Sequence, residues 1–353
     1  MTGWARNMVI GAVLAAAGVA ACGGDDDTSE GSSGSARSVT ALLDELPSSL
    51  ATGDDLVQIA YGDLDAATEA SGVERPARTA GADETITWAQ AISSPSTPDD
   101  GSPAIAAIFP EAVSPTMLAQ IEEFRDEVGW SLLDVGAFIE FQQPPQVFTV
   151  IGGEIDATEI DDAVGAAQDD IWTVGEGDDF QTDLASRTAA RPLGTPLRMA
   201  EHDGLLAVSR STPPVQAWLG DEPSLADDPA LGELAEQLDD ARVYSAYLLD
   251  VDGSTDTNPF DAVALGVATD DDQPIGLFVY HYADAAAAEQ AVDAVTALFD
   301  GRSDLTQAPW TETFSSVDVA AHDDAVVARV TFADDRPPAV MWQIAFARDN
   351  LTA

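Results

Sequence analysis

A repeated pattern constrains the fold more than any other feature of this 353-residue sequence. One stretch predicts a strand, a turn and a second strand around His202-Asp203-Gly204, and another predicts the same around His322-Asp323-Asp324. Each predicted hairpin is followed by a double proline, and a tryptophan lies four residues after the second proline, at Trp218 and at Trp342. Chance does not easily produce these features twice in the same order, so the pattern predicts two related units.

A predicted strand and helix precede each hairpin. They occupy 147–151 and 156–167 in the first unit, and 277–282 and 284–299 in the second. We therefore expect two β-α-β-β-α units of ferredoxin-like type, at about 146–219 and 275–346. Hairpins and helices in this order indicate an α+β fold, with antiparallel sheets and with helices on one face.

The charge of the chain limits its partners. The sequence has 63 acidic residues and 14 basic ones, a formal net charge of −49, and every basic residue is arginine. Nucleic acid is excluded as a partner, because binding it requires a dense basic surface. Hydrophobic residues make up 45% of the chain, which is enough for a packed core and excludes wholesale disorder.

The same composition resembles that of exported proteins from salt-adapted, high-GC bacteria. A GC-driven codon bias alone also depletes lysine, but it does not account for the excess of acids. Binding of divalent cations by the acids is a third interpretation.

The N-terminus carries an export signal. Arg6 precedes an uncharged run, Met8 to Ala21, which as a helix spans about 21 Å and is too short to cross a bilayer. The tetrapeptide Val19-Ala20-Ala21-Cys22 that ends this run resembles the lipobox of bacterial lipoproteins. The resemblance implies that Cys22, the only cysteine, is diacylated on sulfur and becomes the first residue of the mature chain. The alternative is a plain secretory signal with a coincidental cysteine.

These features divide the chain into four parts. We predict a lipoprotein signal peptide at 1–21, a lipidated cysteine with a flexible acidic tether at 22–38, and α+β domains at 39–240 and 241–353. Two acyl chains are enough for stable anchoring, so the bilayer is the expected partner of Cys22. The predicted location is the outer face of the cytoplasmic membrane, in the cell envelope.

A short segment of the body resembles a wider group of proteins. Leu225-Ala226-Asp227-Asp228-Pro229-Ala230-Leu231, ahead of a predicted helix and strand, is similar to a segment of membrane-anchored bacterial proteins of unknown function. The resemblance implies no activity.

An acidic loop is the main candidate metal site. Its spacing resembles a calcium-binding loop, since oxygen ligands at alternating positions suit Ca²⁺. The candidate ligands are Asp250, Asp252, Ser254, Asn258 and Asp261. Gly253 stands two positions before the expected glycine, and Asp261 replaces the usual glutamate, so a solvated acidic loop is the competing interpretation. A transition-metal site is a second candidate, with His202, His281 and His322 as ligands. A simpler explanation for His202 and His322 is that they occupy equivalent turns in the two repeats.

Common enzyme motifs are absent from the sequence. It has no GxSxG elbow, no phosphate-binding loop and no lysine, and Cys22 is the predicted lipid attachment site. No catalytic or cofactor-binding residue is predicted. We expect a non-enzymatic binding or interaction module with an envelope protein or ligand as its partner. The alternatives are a calcium-dependent module that uses loop 250–261, and a secreted hydrolase that uses two close carboxylates, one of them with a raised pKa.

Salt tests the interpretation of the charge. Repulsion among the acids weakens as the Debye length falls from about 10 Å at 0.1 M salt to about 3 Å at 1 M. We therefore expect the melting temperature to rise when NaCl is raised from about 0.1 M to about 2 M. Calorimetry measures this, and an unchanged or lower melting temperature contradicts salt adaptation.

Overall fold

A computed structural model describes residues 37–51, 57–93, 104–113, 115–220, 222–250, 260–271 and 273–352. Within these ranges, no helix is both long enough and apolar enough to span a bilayer.

The described chain contains both helices and antiparallel strands. The helices are α1 (Val39–Leu43), α2 (Leu64–Ser71), α3 (Ala82–Ser93), α4 (Ile121–Val128), α5 (Ala157–Val164), α6 (Thr212–Trp218), α7 (Pro229–Asp240), α8 (Ala285–Phe299) and α9 (Val340–Ala347). The strands are β1 (Gln58–Asp63), β2 (Val135–Gln143), β3 (Gln146–Gly153), β4 (Trp172–Val174), β5 (Leu197–His202), β6 (Leu205–Ser209), β7 (Ser245–Asp250), β8 (Ala262–Asp270), β9 (Gln273–His281), β10 (Phe314–His322) and β11 (Ala325–Phe332).

Aspartates begin many of these helices. A short side-chain oxygen at the N-cap accepts a hydrogen bond from a backbone N–H that has no partner within the helix, and its negative charge suits the helix dipole. Such caps are formed by Asp63, Asp156, Asp228 and Asp284. Four of the many acidic residues of this chain therefore stabilise the N-termini of helices. Glu159 follows Asp156 at the spacing of a capping box, in which its carboxylate would accept a hydrogen bond from the Asp156 N–H. In the structure this carboxylate accepts a hydrogen bond from Arg78 Nη2 at 3.0 Å.

The described strands form one antiparallel sheet of eleven. Its order is β10-β11-β9-β8-β7-β1-β2-β3-β6-β5-β4. Read outward from the centre, the strand order is the same on both sides. It is β1-β2-β3-β6-β5 in the first half and β7-β8-β9-β11-β10 in the second, and β4 is added at the outer edge of the first half. The two halves are therefore related by an approximate two-fold axis through the β1–β7 pair.

The strand register places this axis at one pair of residues. Ala60 on β1 is directly opposite Tyr247 on β7. On its other side Ala60 is opposite Glu140 of β2, and Tyr247 is opposite Leu265 of β8. Glu140 and Leu265 therefore occupy equivalent positions in the two halves.

Helices cover both faces of the sheet, and not one face as the sequence predicted. Helices α2, α3, α4, α8 and α9 contribute to one hydrophobic core, whereas α1, α6 and α7 contribute to a second. Neighbouring residues of one strand alternate between them: Val263 and Leu265 lie in the first core and Ala264 in the second. A strand that is apolar on both sides needs cover on both sides.

The predicted hairpins are confirmed as β5–β6 and β10–β11. Asp203 and Asp323 in their turns have φ of 51° and 45°, a conformation that aspartate tolerates better than most residues. The predicted domain boundary at 240/241 lies between α7 and β7, and β7 pairs with β1, so the sheet is continuous across it. The division into two domains stays a prediction.

Candidate functional site

A cavity of about 240 Å³ lies over the first half of the sheet. It is bounded by β3, β5 and β6, by the 3₁₀ turns at 111–113 and 115–120, and by the loop that precedes β5. Its apolar lining includes Met117, Val147, Leu197 and Val208, and its polar lining includes Glu111, Thr149, Arg191 and Arg210. An apolar cavity with a few converging polar groups is the usual form of a small-molecule site.

The equivalent region of the second half is filled. Thr149 is opposite Glu140 in the first half, and Phe278 is opposite the equivalent Leu265 in the second. The ring of Phe278 packs edge-on against Phe299 of α8, with centroids 5.2 Å apart. Where one half has a threonine beside a cavity, the other has an aromatic cluster. The same frame can therefore be packed solid, and the cavity depends on the side chains of the first half.

The long loop between β4 and β5 forms one wall of the cavity. Phe180, Leu184 and Leu193, three of the largest exposed apolar side chains in the described chain, lie on the loop that connects β4 to β5. Leu193 is 47% exposed and lines the cavity. The backbone N–H of Phe180 donates to the carbonyl of Arg210, another lining residue, at 3.2 Å. Leu193 therefore places an exposed apolar side chain at the cavity, and Phe180 and Leu184 lie elsewhere on the same loop.

A buried carboxyl lies directly behind the cavity. Glu140 is 1% exposed, and its Oε2 accepts hydrogen bonds from Thr149 Oγ1 at 2.7 Å and from the Glu111 N–H at 2.9 Å. Its Oε1 accepts a hydrogen bond from Gln142 Nε2 at 2.6 Å. Burial raises the pKa of Glu140 to about 7, although these three donors favour the ionised form.

Glu140 thus fixes segment 104–113 over the centre of the sheet, together with other polar contacts. The N–H of Ile108 donates to Ser245 Oγ at 3.2 Å, and the indole of Trp342 donates to the carbonyl of Ala106 at 3.0 Å. This segment therefore connects both halves of the sheet, and its residue Glu111 reaches the cavity wall.

The two arginines on the wall are each paired with a glutamate. Arg210 Nη2 lies 2.6 Å from Glu111 Oε1, and Arg191 Nε lies 2.8 Å from Glu127 Oε1. Arg191 is the more buried, with a side chain 10% exposed against 31% for Arg210. The chain has only 14 basic residues, and two of them line this cavity. The cavity is therefore richer in basic residues than the chain as a whole.

The predicted lipidation and calcium sites fall largely outside the described residues. Cys22, Asp252, Ser254 and Asn258 are not described. Asp250 ends β7, and Asp261 precedes β8 with its side chain 63% exposed. Among the residues that are described, no three His, Cys, Asp or Glu side chains are arranged to hold a metal ion. The calcium site stays a prediction.

The three histidines are not brought to one place. His202 ends β5 near one edge of the sheet, and His322 ends β10 at the opposite edge. His281 ends β9, where its Nδ1 lies 3.5 Å from Asp261 Oδ2. The equivalent turns of the two hairpins therefore explain the matching His202 and His322 without a shared metal.

Two neighbouring carboxyls bear on the hydrolase hypothesis. Glu140 has the raised pKa that this hypothesis requires, and the nearby charge of Glu111 contributes to it after burial. However, Glu140 does not line the cavity, and both of its oxygens already accept hydrogen bonds. No sequence motif indicated Glu140 or the cavity, although an acid inside the apolar run Ala137-Phe138-Ile139-Glu140-Phe141 is a signal in hindsight.

Comparison with known proteins adds little to this geometry. No protein-family model and no curated protein matches the sequence. A solved structure titled crystal form I of TP0453 is similar, with a TM-score of 0.36 and 9% sequence identity over 86% of this chain and 96% of that chain. We draw nothing about function from a likeness of this size.

The buried Glu140 predicts a pH dependence of stability. Its pKa is raised to about 7 in the folded chain, above the ordinary 4.5, so folding favours the protonated form. The stability it contributes is present below about pH 4.5 and is lost as the pH rises to about 7, by up to about 3 kcal/mol at about 1.4 kcal/mol per pKa unit. Urea unfolding at pH 5 and pH 8 should show that Glu140→Gln removes this decline. The exposed Glu123→Gln is the control, and equal declines in both variants contradict the assignment.

Proposed function

We propose that the chain is a lipid-anchored binding module on the outer face of the cytoplasmic membrane, and that its cavity holds a small, largely apolar ligand. The observation that carries the binding role is the cavity beside Thr149, at a place where the equivalent Phe278 fills the second half. The exposed apolar side chains of the adjoining loop support it further. Binding without catalysis is favoured because Glu140, the carboxyl with the raised pKa, is buried and does not line the cavity.

The anchor rests on the sequence. Val19-Ala20-Ala21-Cys22 resembles a lipobox, and a Gly-, Ser- and Asp-rich segment follows it. Arg37, near the end of the predicted tether, already contacts the folded body, since its carbonyl accepts a hydrogen bond from Tyr61 Oη at 2.9 Å.

We also infer that each half is built on a ferredoxin-like unit. In such a unit a split β-α-β crossover leaves room for one antiparallel strand between its two parallel strands. The orders β3-β6-β5 and β9-β11-β10, with α5 and α8 in the crossovers, support this interpretation.

Ligand binding is tested with N-phenyl-1-naphthylamine, a neutral probe that fluoresces in apolar surroundings. We expect saturable binding to the wild-type chain. Ala112, a partly buried lining residue, is replaced in Ala112→Phe, so that a ring occupies the cavity. We expect this variant to lower affinity at least about tenfold, because most of the apolar contact area is lost.

Leu305→Ala is the matched control, since Leu305 is an exposed apolar residue on the second half. It should leave probe binding unchanged. Melting curves establish that both variants are folded. Probe binding that is absent, or that is equal in all three proteins, contradicts the proposal.

The anchor is tested in a bacterium that processes lipoproteins. We expect intact mass spectrometry to find a chain that begins at Cys22 and carries acyl chains, and membrane fractionation to recover it with the bilayer. Cys22→Ser should leave the protein in the soluble fraction, whereas Ser29→Ala in the tether should not. A wild-type chain that still begins at Met1 with a free thiol is the opposing result.

A further inference from the structure

We propose that the ligand of this cavity is amphipathic and carries an oxyanion, such as a carboxylate or phosphate, that binds the guanidinium of Arg191. This inference rests on the proposed binding function and specifies the class of ligand.

The first observation is unused hydrogen-bonding capacity at Arg191. Its side chain is 10% exposed and lines the cavity. The Nε group donates to Glu127 Oε1 at 2.8 Å, but within the described part of the chain neither Nη group has a hydrogen-bond partner. Guanidinium offers five N–H donors in a planar fork, and neither Nη atom is among the fully buried unpartnered atoms of the described chain, so both keep some access to solvent. An acceptor that enters the cavity can therefore take these donors.

The second observation is that the guanidinium of Arg191 is held in place. Glu127, which does not line the cavity, also accepts hydrogen bonds from Thr188 Oγ1 at 2.7 Å and from the Ala190 N–H at 3.2 Å. The guanidinium lies against Gly175, where an added Cβ would fall 2.1 Å from Nη1. A donor fixed before the ligand arrives loses little entropy on binding, which favours affinity.

The third observation is the charge of the wall. The chain has 63 acids against 14 arginines, yet Arg191, Arg210 and Glu111 are the charged side chains that line the cavity. Arg210 pairs with Glu111 and Arg191 pairs with Glu127, so the charges at this wall balance while the chain as a whole is strongly negative. An anion therefore meets less repulsion here than at the acid-rich surface, and the apolar wall accommodates the remainder of the ligand.

Two probes that share one aromatic skeleton test this inference. N-phenyl-1-naphthylamine is neutral, and 1-anilinonaphthalene-8-sulfonate adds a sulfonate to the same rings. A charge-assisted hydrogen bond is worth roughly tenfold to hundredfold in affinity, so we expect the sulfonate probe to bind the wild-type chain that much more tightly. This advantage should shrink as NaCl is raised.

Arg191→Gln should remove the advantage of the sulfonate probe and change the affinity for the neutral probe less than about twofold. Arg191→Lys should retain part of it. Arg329→Gln is the matched control, since it removes the same charge from an exposed pair with Asp270 on the second half. It should leave both affinities unchanged.

The outcomes separate the two proposals. Neutral-probe binding with no advantage for the sulfonate probe in the wild-type chain overturns the oxyanion inference and leaves the binding function intact. An advantage that survives in Arg191→Gln also overturns it. Binding of neither probe overturns both. If Arg191→Gln does not fold, the wild-type comparison at low and high salt still decides the result.

Discussion

The antiparallel pairing of β1 with β7 is the contact on which the rest of the structure depends. These strands join two five-stranded arrangements of matching order, and Ala60 opposite Tyr247 marks the approximate two-fold axis. Burial, followed by the charge of Glu140, raises the pKa of Tyr247, so its hydroxyl stays neutral at the centre of the sheet. Segment 104–113 crosses this junction and holds the two halves together above it.

The two halves use one backbone frame for different purposes. In the second, α8 is fifteen residues long and Phe299 at its end closes the aromatic cluster around Phe278. In the first, α5 is eight residues long, and the loop that carries Arg191 and Leu193 covers the sheet instead. The second half has the apolar pair Leu265 and Phe278 at this place. The first half has Glu140 and Thr149 at the equivalent positions, a hydrogen-bonded polar pair beside a cavity. One half is packed with aromatic rings, and the other has a cavity at the equivalent place.

Local signals in the sequence predicted much of the frame but little of the site. The hairpins around Asp203 and Asp323 were predictable because the turn residues and the alternation act over a few positions. Strand β2 is absent from the predicted elements, since its apolar run is compatible with helix or strand and its partners β1 and β3 define it. The cavity was not predictable, because it requires the irregular loop between β4 and β5 to fold back over β3 and β6, and 51 positions separate these two strands in the chain. Lipidation of Cys22 and the calcium ligands remain predictions.

The first described residues have a mechanical consequence. Arg37 forms an ion pair with Asp65, and the N–H groups of Val39 and Thr40 donate to the Asp239 carboxylate at 2.7 and 3.0 Å. Residues 37–40 are therefore held beside the middle of the sheet and not at an edge strand. A pull on this segment would act first on central strands, which are hydrogen-bonded on both sides, and not on an outer strand.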